Sequence, residues 1–331
     1  MQVNYNQAEK LFKEIAEERK CPSLHPRYLQ IDSKREKGME PTFFVFEEYG
    51  EIYYYPFLAA DVPDTKFRDI QSPYGYGGPI STTDNKQFID RAWSAFTSWC
   101  QENNILAEFV RFHPILQNWR YHNGEKVFDR ETVWVDLTNE DLFIGYQSRV
   151  RNMLRKATKH GLKVEWCEPE VFFQWFPELY EGLMKSLQAN PFYFFSNEYY
   201  DAWYEWDQAH YALCVLDGEV VAASIFFSDK NIMEYHLSAS NDVGRQLAAS
   251  TMILHEAAEL GKNLQCRKLH LGGGTNSLEN NPLLFFKSGF SKERASFRIG
   301  KMIHKPDCYE ELKTFWKSKN GSISDRILFY R

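Results

Sequence analysis

One order of elements is written twice into this 331-residue chain, and that repetition limits the fold more than any single motif. In the first half, a helical pattern over 5–19 precedes two β-rich runs, 42–48 and 52–60, whose Tyr49-Gly50 junction reads as a hairpin turn. A Gly- and Pro-rich loop over 72–79 cannot be regular structure. The helix expected over 84–103 follows, with Phe88, Ala92, Ala95, Phe96 and Trp99 on one face, then strands at 107–112 and 132–137. In the second half, helical patterns over 139–160, 170–188 and 196–209 lead to strands 211–216 and 219–228 around Asp217-Gly218, a strong hairpin signal. Strand 232–240, helix 245–262, strand 267–271, a short helix near 282–288, strands within 293–304, helix 306–318 and an edge strand at 324–330 complete the reading. The expectation is an α/β chain of mixed sheets, built as two copies of one unit, 1–138 and 139–331, with 320–331 free to return to the first.

Apolar residues at 44% and aromatics at 16% place the chain among folded globular proteins. A net charge of −6 excludes a surface that grips nucleic acid as a whole, so no DNA partner is expected. One basic patch remains: Arg151, Arg155 and Lys159 recur at i, i+4, i+8 and share a helical face, with no acidic residue between Gln147 and Val164. That face is either solvated or binds phosphate. The six cysteines form no CxxC pair, which signals neither zinc nor a disulfide framework and fits a reduced, cytoplasmic setting. The first residues read as a charged amphipathic helix and not as a signal peptide, and no run approaches the ~18 apolar residues of a membrane span. Membrane contact is expected to be peripheral at most.

The chemistry concentrates late in the chain. In 267–290 a short strand runs into Gly272, Gly273 and Gly274, then a polar turn and a brief helix carrying Phe286-Lys287. The glycines allow close backbone approach to a ligand, and a fixed lysine can stabilise developing negative charge. The plainer alternative is a turn beside a surface lysine. In strand 232–240, alternation puts Glu234, His236 and Ser238 on one face and Met233, Tyr235 and Leu237 on the other, which offers a general base. Ser238, Ser240, Asn241 and Gly244 then open a helix, as an anion site or as ordinary caps. The glycine triplet lacks a P-loop or GxGxxG pattern, and His255-Glu-Ala-Ala-Glu259 lacks the second histidine of a zinc helix. No metal and no permanently bound cofactor are expected.

Taken together, the run 149–164 (RVRNMLRKATKHGLKV), Tyr235-His-Leu-Ser-Ala-Ser240, the segment 269–274 and the Phe286-Lys-Ser-Gly-Phe290 box resemble the FemAB-type branch of the GNAT-like acyltransferases. That branch includes peptidoglycan interpeptide-bridge aminoacyltransferases and acetyltransferase-like proteins of polysaccharide clusters. The resemblance implies two tandem GNAT-like domains with a cleft between them, and acyl transfer to a primary amine. It places Lys287 near the reacting carbonyl, and strand 232–240 as read above adds Glu234 or His236 as the expected base for the amine proton. It implies an acceptor site of Tyr74, Tyr76, Gly77, Arg151, Arg155, Tyr235 and Phe286, and a donor site of Ser238, Ser240, Asn241, Gly244, Arg245, Gly272 and Gly273. Arg245-Gln-Leu-Ala-Ala-Ser250 falls where GNAT enzymes carry the glycine turn that binds the coenzyme A pyrophosphate, with alanine in the glycine's place. The expected donor is acetyl-CoA or aminoacyl-tRNA, and the acceptor a small molecule or a lipid- or nucleotide-linked sugar. The leading expectation is N-acylation of an amino sugar in cell-surface polysaccharide synthesis. The alternatives are tRNA-dependent aminoacyl transfer to a peptidoglycan precursor, with tRNA as partner, and a silent glycan- or protein-binding module using the aromatic cluster 192–204.

Overall fold

The computed structural model describes residues 1–278 and 280–331. They form two compact units, Met1–Asp129 with Ser296–Arg331, and Arg130–Ala295. The division falls at 129/130 where the sequence reading put it at 138/139, because residues 132–136 of strand Glu125–Asp136 pair with strand Lys268–Gly273. The return to the first unit begins at Ser296, well before 320, because Ile299 to Ile303 pair antiparallel with Ala107 to Arg111.

In the first unit the strands run, by neighbour, Gln2–Val3, Glu40–Glu48, Glu51–Asp61, Arg68–Gln71, Ile105–Arg111 and the end of Arg294–Ile303. Tyr49 and Gly50 turn the first hairpin with φ of 52° and 81°, the left-handed pair that matches strand twist. Arg68–Gln71 and Ile105–Arg111 are parallel, joined through helix Lys86–Glu102, whose N-terminus Asn85 caps. That helix packs Phe88, Phe96 and its neighbours against Phe44, Tyr55 and Phe57. A second core holds Leu106, Ala107, Tyr309 and Leu312 together with Ile327 to Tyr330. The expected edge strand at 324–330 is absent: four successive apolar side chains, all buried, wrap against helix Pro306–Asn320 instead of alternating along a ladder.

In the second unit the order is Glu125–Asp136, Lys268–Gly273, Ile232–Ser240, Glu219–Ser228, Ala209–Leu216 and Lys163–Cys167. Asp217 and Gly218 make the hairpin turn with φ of 50° and 87°. Helices Ser148–Lys159 and Ala249–Asn263 cover one side of this sheet with Val150, Leu154, Ile253, Leu254 and Ala257. Phe172, Phe176, Tyr199, Trp203 and Trp206 cover the other, around Tyr211 and Phe227. The single helices expected at 139–160 and 170–188 are each two, Leu142–Gly145 with Ser148–Lys159 and Pro169–Phe172 with Phe176–Ser186. Among the described residues, no helix is long and apolar enough to cross a membrane.

Candidate active site

The second unit opens where its parallel strands part. Ile232, Met233 and Glu234 pair with Lys268, Leu269 and His270, and no further ladder pair joins the two strands among the described residues. Each strand carries a bulge just beyond that point. His236 is the extra residue against Glu219–Ser228, and Leu271 is the extra residue against Glu125–Asp136. A bulge bends its strand and sharpens its twist, so each strand follows its outer neighbour and a gap opens between them.

Lys287 ends helix Pro282–Lys287, which Asn281 caps by accepting from the N–H groups of Leu283 and Leu284. Its side chain is not on the surface: the residue is 7% exposed. The ammonium donates to the carbonyl of Gly273 at 2.9 Å and stands 5.6 Å from the ring centroid of Tyr235. Burial, followed by the nearby Arg130 charge, pushes its pKa down to about 7. No carboxylate pairs with it among the described residues. Behind Tyr235 lie two hydroxyls, Ser224 and Ser238, which hydrogen-bond to each other at 2.8 Å and to the phenol.

The bulge at His236 corrects the expected alternation. Ser238 pairs with Ser224 and shares the Tyr235 face, whereas strict alternation had put it with Glu234. Glu234 is buried and pairs with Phe227, which packs on Trp203 and Trp206. His236 also faces that aromatic side, 3.1 Å from the Tyr199 hydroxyl and against Trp203 and Phe227. Burial pushes its pKa down to about 3, which leaves it a poor proton acceptor. Glu234 and His236 therefore face away from the side on which Lys287 meets Tyr235, and the structure does not gather the three expected catalytic side chains at one spot.

The expected donor residues are largely occupied with holding the chain. Asn241 accepts from the Gly244 N–H at 2.9 Å and caps helix Asp242–Gln246. A Cβ on Gly244 would meet the Val221 carbonyl at 2.3 Å, so this glycine is required for packing. Arg245 donates to the Ser240 carbonyl at 2.8 Å and pairs with Asp242. The helix expected over 245–262 breaks at Ala248, which has φ of 64°, and resumes as Ala249–Asn263. Alanine thus adopts the left-handed conformation that glycine takes without strain. Gly272 has φ of 76° at the bulge, and a Cβ on Gly274 would strike the Asn281 side chain at 2.4 Å. Gly273 supplies the carbonyl that holds Lys287.

Of the expected acceptor residues, Tyr235 alone meets Lys287. Phe286 packs against Phe290 in the core, and the exposed ring of that helix is Phe285, under the Arg149 guanidinium. Arg151 donates to the carbonyls of Ile144 and Tyr146 and so fixes the preceding turn. Arg155 stays exposed, beside Lys159, Phe143 and Met252 around a shallow hollow of about 440 Å³. Tyr74, Tyr76 and Gly77 belong to the first unit. Asp32 accepts from the Tyr74 N–H, Tyr76 packs edge-on to His113 and Phe297, and both backbone groups of Gly77 are bonded, to Arg111 and Asn118. Sequence reasoning missed Arg130 and Ser224. Ser224, a lone hydroxyl within the apolar run 220–227, carried a signal, and Arg130 carried none.

The profile of the acetyltransferase (GNAT) domain family matches residues 146–288. No curated protein matches the sequence. Among solved structures, FemX is similar over 95% of this chain and 99% of its own, with a TM-score of 0.74 at 14% identity. The C-terminal domain of a putative lysylphosphatidylglycerol synthetase from Agrobacterium fabrum is similar over 95% and 97%, with a TM-score of 0.62 at 14% identity. L-PGS from Bacillus licheniformis is similar over 90% and 91%, with a TM-score of 0.58 at 13% identity. Residues 146–288 thus match the acetyltransferase (GNAT) domain family, and the chain as a whole has the fold of FemX.

Proposed function

We propose that this acyltransferase moves an acetyl or related acyl group onto the amine of an amino sugar or similar acceptor used in the cell surface. The observation that carries this reading is a buried lysine that no carboxylate pairs with among the described residues, beside a strand ladder that parts. The donor carbonyl enters where Ile232–Ser240 and Lys268–Gly273 diverge, since strand backbone there is not engaged across the gap. Neutral Lys287 takes the proton of the attacking amine as the C–N bond forms. The resulting ammonium faces the oxyanion, and the proton then passes to the leaving oxygen or sulfur as the acyl bond breaks. A pKa near 7 suits a group that must both take and return a proton. Tyr235, with Ser224 and Ser238 behind its hydroxyl, forms the wall against which Lys287 rests.

The donor class separates two versions of the reading. Ala248 keeps a left-handed turn where the GNAT pyrophosphate glycine is expected, which favours a coenzyme A thioester. The fold likeness to FemX and to the lysylphosphatidylglycerol synthetase domain favours an aminoacyl donor, as do the exposed Arg155, Lys156 and Lys159. Transfer assays with acetyl-CoA and with aminoacyl-tRNA, alongside thermal shifts for each, distinguish them. A ligand at 100 times its Kd adds ~2.7 kcal/mol of stability. Lys287→Ala is expected to lower kcat by ~10²-fold or more with whichever donor works. Full turnover by that variant would remove Lys287 from the mechanism.

A further inference from the structure

Two cations in the second unit hang on neighbouring carbonyls. Lys287 donates to Gly273 at 2.9 Å, and Arg130 Nη1 donates to Gly274 at 2.7 Å. The side of Gly273 that a Cβ would occupy is filled by the Glu131 carbonyl, at 3.0 Å, and by the Arg130 stem, whose Cδ and Cγ would lie 3.1 and 3.4 Å from it. Gly273 is thus held between a guanidinium stem and an ammonium. A larger residue at 273 would press on the Glu131 carbonyl and on the Arg130 stem.

We propose that Arg130 is the positioning residue for Lys287: it fixes the Gly273-Gly274 carbonyls that aim the lysine and holds a permanent positive charge beside it. This rests on the reading of Lys287 as the group that carries the proton during transfer. A guanidinium beside the lysine opposes a second charge nearby and keeps the lysine available as a free amine. Among the described residues, the titratable groups that face Lys287 are Arg130, from strand Glu125–Asp136, and Tyr235, from strand Ile232–Ser240. Strand Lys268–Gly273 offers it a carbonyl. Arg130 therefore acts through Lys287, adding to burial in setting the pH at which the lysine loses its proton.

The test follows the Lys287 Nζ resonance in protein labelled with ¹⁵N-lysine, assigned by its loss in Lys287→Met, and compares it with the pH profile of kcat. In Arg130→Gln the midpoint of Lys287 is expected to rise, leaving roughly threefold less free amine near pH 7. Arg130→Lys, which keeps a charge and a donor, is expected to restore most of the original midpoint. The acidic limb of the kcat profile should move upward with the Arg130→Gln midpoint. An unchanged midpoint in Arg130→Gln, with the fold intact by circular dichroism, would overturn the proposal. A midpoint that moves while the acidic limb stays fixed would uphold the role of Arg130 and sink that of Lys287 in the reaction.

Discussion

Each unit contains a strand, a crossover helix and a second strand parallel to the first, but one pair is sealed and the other is open. In the first unit, Asp69, Ile70 and Gln71 pair with Ala107, Glu108 and Phe109, and the chain beyond keeps the seam shut. Ser72 N–H donates to the Phe109 carbonyl, Gly77 N–H to that of Arg111, and Gly77 bridges Phe112. In the second unit the seam ends after Glu234 and His270. The buried charges of the two units differ in the same sense. Glu108 is fully buried, with His122 bonded to one carboxylate oxygen and His304 3.4 Å from the other. Burial would raise its pKa, yet the two histidines bring it down to about 2. Among the described residues, Lys287 has a carbonyl and a ring but no anion. A buried charge whose partner is built in belongs to the architecture, whereas one whose partner is not built in is a candidate for chemistry.

The contrast can be broken or sharpened at each charge. The largest effect is expected at Glu108, where Glu108→Ala strips the histidines of their carboxylate and should cost about 3–5 kcal/mol in denaturant unfolding. A loss under about 1 kcal/mol would show that the triad is not what holds the sealed unit. For Lys287 the sign is opposite. Its pKa is lower in the folded chain, about 7 against 10.5, so the unfolded chain binds the extra proton and stability rises with pH across that window. The cost of its charge is complete below pH 7 and gone above 10.5. Lys287→Met should therefore stabilise the protein, by about 2–3 kcal/mol more at pH 6 than at pH 9. Equal effects at the two pH values would mean that the open site solvates its lysine. The smallest effect is expected at Ala248, where Ala248→Gly relieves a left-handed alanine and should raise stability by up to about 1 kcal/mol in thermal or denaturant melts. A loss of stability would place the turn's preference in contacts of the methyl group.

Hairpins and their turns were legible because Tyr49-Gly50 and Asp217-Gly218 carry local chemistry that fixes the register around them. The strand Ile232–Ser240 was legible to the residue, yet its faces were not. Nothing in Glu-Tyr-His-Leu-Ser announces that His236 is inserted, because a bulge is decided by the neighbouring strand and by the gap it serves. Lys287 stood out through its place after the glycine triplet, on a brief helix that a polar turn introduces. Its burial depends on Tyr235 and Arg130, which are remote in sequence. The donor loop shows the reverse case. Asn241, Gly244 and Arg245 look like ligand residues by type, but local capping and the approach of Val221 already account for them. The separate helices in 139–160 and 170–188 were hidden because apolar spacing continues across each break.

The second unit is one uninterrupted stretch of chain, Arg130–Ala295, whereas the first is completed only by Ser296–Arg331. During synthesis the open, lysine-bearing unit therefore has all its strands before the sealed one does. Until residues 299–304 emerge, strand Ile105–Arg111 lacks its antiparallel neighbour and Glu108 lacks His304. A nascent chain that has reached about residue 290 holds an apolar strand edge and a carboxylate short of one imidazole, the sort of surface that chaperones and proteases survey. The order of birth thus runs opposite to the order of numbering: the unit that starts first finishes last.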